Sequence, residues 1–271
     1  MAITATLANR CDIVDSLAAA NADRAPGRMD PERPWLMAAV ARCDGNIHEA
    51  ARWHRELVKA TPRSPRAKWA LATAVRRANR PAEAVAILET IDPERDLGWM
   101  LGPRKLFFWR ELVNAHHAIG DYAAEWKTAD RFANSDPGPV MSYYYKARSF
   151  VGRNKPAAAV SLVDSIGELS PPPATTGEAV GPIRPATTGW TMYGIAEDLL
   201  AHGHPVHARE IANRTVQWVD GRSDHEKKQP EFRLMLARAL MMAGNHRRSQ
   251  HVLAELVHED SANVEYLGGF G

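Results

Sequence analysis

Residues 35–62 read WLMAAVARCDGNIHEAARWHRELVKATP, and this stretch decides the fold. It predicts a helix over 35–43, a turn over 44–46 and a second helix over 47–60, which the Thr-Pro step at 61–62 ends. In the second helix, apolar side chains and one histidine recur at the spacing of a single helix face: Ile47, Ala50, Ala51, His54, Leu57 and Val58. The stretch is therefore predicted to be a helical hairpin that needs a neighbour to cover its apolar side.

The same hairpin recurs along the chain. The Glu-Ala pair at 49–50 returns at 83–84, an interval of 34 residues, and Gly45 and Gly120 each precede a proline by 17 residues. Small residues also recur twelve positions apart, as the pairs Ala38 and Ala50, Ala72 and Ala84, Ala147 and Ala159, and Ala196 and Ala208. Such positions let paired helices approach closely, so the repeat predicts stacked hairpins rather than unrelated helices.

Hairpins of this kind divide the whole chain. We expect an N-terminal helix near 4–20 and a connector within 1–32, and then four repeats over 33–170. The prolines and glycines of 171–189 predict a linker or surface loop. Repeats five and six, with the opening of a truncated seventh at NVEYLGGFG, occupy 190–271. The expected fold is all-α, an α-solenoid of about six stacked antiparallel hairpins.

These turns, spacings and the 34-residue period resemble the tetratricopeptide repeat (TPR) family over residues 33–271. The resemblance implies a TPR-like superhelix whose first helices line a concave groove that binds proteins or peptides. Glu125 and Ser249 depart from it, because the family favours a small apolar residue at those places. The run from Gly203 to Gly271 is similar to the C-terminal repeat arrays of certain large bacterial regulatory proteins. That likeness implies a regulatory or sensory module of a larger protein.

The resemblance also selects the residues that would face the groove. Arginines and aromatic residues predominate there, a mixture suited to an extended peptide with acidic groups, because guanidinium pairs with carboxylate while aromatic rings supply rigid apolar contact. The predicted partner-binding residues are Trp35, Arg42, Arg66, Trp69, Arg76, Arg77, Arg110, Asn114, His117, Tyr144, Arg148 and Tyr193.

Composition limits which cellular compartment and which classes of partner we expect. The formal net charge of the 271 residues is only +2, so nucleic acid is not the expected partner. No apolar run reaches the ~20 residues that a membrane span needs, and the start lacks the pattern of a secretory signal. Cys11 and Cys43 are too few for a disulfide framework and are predicted to be free thiols. We therefore expect a cytoplasmic protein.

The sequence offers little catalytic chemistry. It contains no Gly-x-Ser-x-Gly nucleophile elbow and no phosphate-binding Gly-rich loop, so we expect no enzyme, no cofactor and no metal. One alternative is a small metal-dependent hydrolase that uses the histidine-rich turn at His202, His204 and His207. Another is an oligomerisation module in which the C-terminal half repeat pairs with a second copy.

Overall fold

The computed structural model describes residues 11–20, 32–96, 105–135, 139–167 and 188–263, together with Tyr266 and Gly268. Within these residues the regular structure is entirely helical. They divide into two compact units, unit 1 ending at Thr128 and unit 2 beginning at Ala129.

Unit 1 contains α1 (Cys11–Ala20), α2 (Glu32–Cys43), α3 (Ile47–Ala60), α4 (Pro65–Arg77), α5 (Pro81–Leu88), α6 (Lys105–Ala118) and the first half of α7 (Tyr122–Ser135). Unit 2 contains the rest of α7, α8 (Pro139–Gly152), α9 (Pro156–Gly167), α10 (Thr188–Ala201), α11 (Pro205–Asp220), α12 (Asp224–Lys227), α13 (Pro230–Ala243) and α14 (His246–Glu259). From α2 to α6 in unit 1, each helix packs against the next. In unit 2, α8 packs against α9 and α10, and the order then runs through α11, α13 and α14. The predicted α-solenoid of stacked antiparallel hairpins is confirmed.

The six described hairpins share one backbone conformation in their turns. Two residues before each second helix, the backbone has a positive φ, between 57° and 87°, at Gly45, Asn79, Gly120, Asn154, Gly203 and Gly244. This left-handed conformation suits glycine and, among residues with a side chain, asparagine best. The turns predicted at 44–46, 203–205 and 244–245 are therefore built from the residue types that the backbone demands.

The fourth residue of each second helix is fully buried against its partner. These residues are Ala50, Ala84, Glu125, Ala159, Ala208 and Ser249, each at most 1% exposed. The residues twelve positions earlier are Ala38, Ala72, Val113, Ala147, Ala196 and Ala237, buried to the same degree. Outside the hairpin of α6 and α7, which has Val113 and Glu125 at these positions, the side chains are small, so the helices of each pair can approach closely.

The two residues that depart from this pattern are accommodated by hydrogen bonds. The Ser249 hydroxyl donates to the carbonyl oxygen of Ala237 at 2.7 Å. The Glu125 carboxylate lies 2.9 Å from Nδ1 of His117. Both side chains thus meet a polar partner inside the hairpin, and the repeat register continues through each of them.

The prediction of free thiols is wrong, because Cys11 and Cys43 form a disulfide that joins α1 to the end of α2. The two cysteines are 32 residues apart, and only the packing of α1 on α2 brings their side chains together. Val14 of α1 is fully buried beside Ala39 of α2. No local feature of the sequence pairs them without this tertiary contact. The expectation of a cytoplasmic protein can therefore no longer rest on free thiols.

Several predicted segments extend beyond the described residues. Of the helix expected at 4–20, α1 represents 11–20. Of the linker expected at 171–189, residues 171–187 lie outside the described part, and Thr188 and Gly189 already belong to α10. Of the predicted opening of a seventh unit, the structure describes only Asn263, Tyr266 and Gly268, and Tyr266 packs on the apolar cluster of α13 and α14. None of the described helices is long and apolar enough to cross a membrane.

Candidate functional site

A groove in unit 1 brings together four of the predicted binding residues. It encloses about 470 Å³ between α2, α3 and α4, and the disulfide forms part of its wall. The residues that line it are Cys11, Trp35, Ala39, Arg42, Cys43, Ile47, Ala50, His54, Trp69, Ala70, Thr73, Ala74 and Arg77. Four alanines keep the space open, since larger side chains at those positions would fill it. We call this space the unit 1 groove.

Two guanidinium groups give the unit 1 groove a positive charge. Partial burial, and then the neighbouring charge of Arg77, lower the pKa of the Arg42 guanidinium below its usual range. The described residues that line the groove include no Asp or Glu, and neither Arg42 nor Arg77 forms an ion pair with a described residue. The charges of Arg42 in α2 and Arg77 in α4 are thus close enough to repel each other, an arrangement that an anion would stabilise.

Aromatic rings form the apolar part of the groove. Trp35 of α2 and Trp69 of α4 both line it. The guanidinium of Arg66 lies over the Trp35 ring, 5.0 Å from the ring centroid, a cation–π geometry. Five predicted residues, Trp35, Arg42, Arg66, Trp69 and Arg77, therefore lie in or beside one groove.

His54 also lines this groove, although the sequence placed it on the packing stripe of α3 and gave it no binding role. The side chain is 6% exposed, and its ring meets that of Trp35 edge to face at a centroid distance of 5.3 Å. Burial chiefly, and then the charge of Arg42, lower its pKa to about 4, so the imidazole is neutral at neutral pH. The signal in the sequence was a lone polar side chain within an otherwise apolar stripe.

The remaining predicted residues of unit 1 have partners of their own. The Arg76 guanidinium donates to the buried carboxylate of Glu111 at 2.7 Å, and His117 contacts the buried Glu125. Arg110 lies over the ring of Phe107, and Asn114 is half-buried in α6. These four lie outside the lining of the unit 1 groove, and the first two contact carboxylates inside the fold.

In unit 2 the predicted binding residues are mostly enclosed. Arg148 is 7% exposed, and its guanidinium lies over the rings of Tyr144 and Tyr145. The Tyr193 hydroxyl donates to the Glu197 carboxylate at 2.6 Å. Burial raises the pKa of Tyr144 above its usual range, and a hydrogen bond to Asp198 acts in the same direction. Here the arginine and the tyrosines pack with one another inside unit 2.

The histidine-rich turn does not gather into a larger donor set. The rings of His204 and His207 lie 6.3 Å apart, centroid to centroid, and His202 Nδ1 lies 2.9 Å from the carbonyl oxygen of Asp198. Across the residues that the structure describes, no three His, Cys, Asp or Glu side chains are grouped as metal ligands would be.

Comparison with known proteins places the fold. No protein-family model matches the chain, and neither does any curated protein sequence. The crystal structure of the APC/C hetero-tetramer Cut9–Hcn1 matches 99% of this chain at a TM-score of 0.52 and 9% identity. This chain spans 47% of the length of the matched chain. A tetratricopeptide repeat protein from Parabacteroides merdae matches 87% of this chain and 82% of its own length, with 12% identity and a TM-score of 0.46. A thermophilic TPR protein from Thermus thermophilus matches 78% of this chain and 99% of its own length, with 14% identity and a TM-score of 0.45.

The chain has the TPR fold. In TPR terms, α2 and α4 are the first helices of two successive repeats, and α3 is the second helix of the earlier one. Arg42 and Arg77 come from first helices, where the TPR resemblance led us to expect binding residues. His54 comes from a second helix, so the expectation of binding residues in first helices did not include it.

Proposed function

We propose that this protein is a non-catalytic scaffold that binds a partner protein through an acidic segment seated in the unit 1 groove. The observation that carries the proposal is the mutual repulsion of the Arg42 and Arg77 guanidinium groups in a groove whose described lining residues include no Asp or Glu. A carboxylate between them would relieve their repulsion and would gain two charge-assisted hydrogen bonds.

The rest of the groove supports an extended peptide as the ligand. Trp35 and Trp69 offer large rigid surfaces that lose little conformational entropy on binding, and Ala39 and Ala70 leave room beside them. The groove volume of about 470 Å³ exceeds the space that one acidic side chain needs, so a neighbouring apolar side chain can enter with it.

The proposal includes a setting. The likeness of the run from Gly203 to Gly271 to repeat arrays of large bacterial regulatory proteins supports a role as a regulatory or sensory module. In such a module the partner segment would be recruited by this chain, and any reaction would be carried out elsewhere in the assembly.

The proposal is tested by presenting a random peptide library, displayed on phage, to the whole chain and selecting the peptides that bind. We expect the selected peptides to be enriched in Asp and Glu next to an apolar residue. The Arg42→Gln/Arg77→Gln double variant should bind them at least roughly tenfold more weakly, because each lost contact was charge-assisted.

Arg63→Gln is the matched control, since Arg63 is an exposed arginine of unit 1 outside the groove lining. It should leave the affinity unchanged. Selection of peptides without acidic residues, or equal binding by the double variant and the control, would refute the proposal.

A further inference from the structure

The buried polar atoms of the unit 1 groove include two, on different helices, that have no hydrogen-bond partner among the described residues. They are Nδ1 of His54 in α3 and Oγ1 of Thr73 in α4, and both side chains line the groove. We call these two atoms the buried polar pair. His54 is more than nine-tenths buried, so solvent reaches little of its ring.

Polar atoms in this situation are uncommon in folded proteins. A buried donor or acceptor without a partner costs roughly 1–3 kcal/mol, and most such groups are satisfied by protein, water or ligand. The buried polar pair belongs to two different helices, and both residues line the same groove, so we expect a single ligand group in the groove to reach both atoms.

The charge of the surroundings determines which ligand group fits. Arg42 and Arg77 are cationic, no Asp or Glu lies among the described lining residues, and His54 is neutral. A neutral imidazole can donate through Nδ1 when that nitrogen carries the proton, and a threonine hydroxyl can also donate. The site therefore offers donors and positive charge, which suits an oxygen anion that accepts several hydrogen bonds.

The apolar lining favours a carboxylate over a free inorganic ion. Trp35, Trp69 and the alanines at 39, 50, 70 and 74 provide carbon surface that a bare ion would leave unfilled. An acidic side chain has an aliphatic stem that can contact this surface while its carboxylate reaches the polar atoms.

We propose that His54 and Thr73 are ligand-recognition residues of the unit 1 groove, and that they donate hydrogen bonds to the side-chain carboxylate of one Glu or Asp residue whose charge Arg42 and Arg77 neutralise. This inference rests on the proposed function and deepens it. It assigns His54, a residue of a second helix, to binding, and it names a side-chain carboxylate as the group that the groove recognises.

The test uses the whole chain and two capped peptides that differ in one group, acetyl-Leu-Glu-Leu-amide and acetyl-Leu-Gln-Leu-amide. Imidazole resonances of His54 are followed by NMR through a pH titration, with and without each peptide. The glutamate peptide should raise the pKa of His54 from about 4, because a nearby anion favours the imidazolium form. The glutamine peptide should leave that pKa where it is.

Substitution supplies a second readout. His54→Leu should weaken binding of the glutamate peptide by roughly tenfold, the loss expected for one hydrogen bond to a charged acceptor. His48→Leu, on the exposed side of the same helix, should not change it. If His54→Leu does not fold, the titration of the unsubstituted protein decides the matter alone.

The subsite would be overturned if the glutamate peptide, at concentrations far above millimolar, did not change the His54 resonances, or if the two peptides had equal effects. A third peptide, acetyl-Leu-Leu-Leu with a free C-terminal carboxylate, tests recognition of a chain terminus. A response to this peptide alone would also overturn the subsite. In each of these cases the library selection still decides separately whether the wider groove binds a partner. A selected peptide that binds without moving the His54 resonances would reject the subsite and leave the scaffold proposal standing.

Discussion

Glu111 is a buried carboxylate of unit 1 that forms an ion pair with Arg76. Its side chain is 3% exposed, and the Arg76 guanidinium that pairs with it is 25% exposed. A buried ion pair contributes little net stability, but removing one partner leaves a charge without compensation. The pair therefore gives Arg76 a role in the fold, which the TPR resemblance that placed it among the groove residues did not indicate.

We predict that Arg76→Met lowers the free energy of unfolding by about 2–4 kcal/mol, because the Glu111 carboxylate would stay buried without its partner. The double variant Arg76→Met/Glu111→Leu should recover most of that loss. Urea denaturation of the three proteins measures it. Arg55→Met is the control, since the pair of Arg55 with Glu83 is more exposed and should cost less than about 1 kcal/mol. Equal losses for the single and the double variant would contradict this account.

His54 makes stability depend on pH. In the unfolded chain its pKa returns to about 6.5, whereas in the folded chain it is about 4. Between these values the unfolded chain binds more protons, so stability is complete above pH ~6.5 and falls as the pH decreases towards the folded value. The groups facing His54 are the positive charge of Arg42 and the ring of Trp35, and neither favours the imidazolium form.

We predict that the free energy of unfolding decreases by about 2 kcal/mol from His54 alone between about pH 7 and about pH 5. Chemical denaturation at a series of pH values measures the slope. His54→Leu should flatten it, and His48→Leu should not. Buried His116, whose pKa is also lowered chiefly by burial, adds to the slope in all three proteins. A slope that is the same with and without His54 would show that the imidazole is not held neutral.

The helical hairpins show how much of an element the sequence determines by itself. Turn residues such as Gly45 and the twelve-residue spacing of alanines are local signals, and both are found where the period placed them. Ser249 and Glu125 broke the pattern in sequence but kept their positions, because each found a polar partner at hydrogen-bonding distance. Local chemistry predicted the elements, and tertiary contacts decided how the exceptions are tolerated.

The candidate site was less predictable because it depends on contacts between elements. Nothing near Cys11 in sequence indicates that it meets Cys43, and the polar side chain of His54 in an apolar stripe does not by itself indicate that it lines a groove. In unit 2, Arg148 has the same residue type as the groove arginines but is enclosed by tyrosines. Residue type identifies candidate binding residues, and only the packing of the helices shows which of them line a common groove.

Helix α1 provides the prediction at the scale of an element. Of its ten residues only Val14 is buried, and a helix of this length is marginal without tertiary support. The disulfide joins residues 32 apart and should contribute about 3–4 kcal/mol by restricting the unfolded chain. Reduction by a dithiol should therefore raise the amide exchange rates of α1, while α3 and α4 keep theirs.

Hydrogen exchange with mass spectrometry measures this difference segment by segment. The Cys11→Ser variant should show the same pattern without reductant. If α1 stays as protected after reduction as before it, then its apolar contacts and not the disulfide hold it on α2.

At the scale of the whole molecule, the net charge of +2 is too small to attract anions in general, whereas the groove concentrates two arginines without carboxylates. Binding of an acidic peptide should therefore depend on salt through the groove alone. The Debye length shortens from about 10 Å at 0.1 M to about 3 Å at 1 M ionic strength, so affinity should fall over that range.

In Arg42→Gln/Arg77→Gln the salt dependence should largely disappear along with the affinity. Arg63→Gln/Lys155→Gln removes the same charge from two exposed positions and should retain both. Fluorescence anisotropy of a labelled peptide across the salt series separates the cases, and equal slopes for the two double variants would mean that overall charge, not the groove, attracts the ligand.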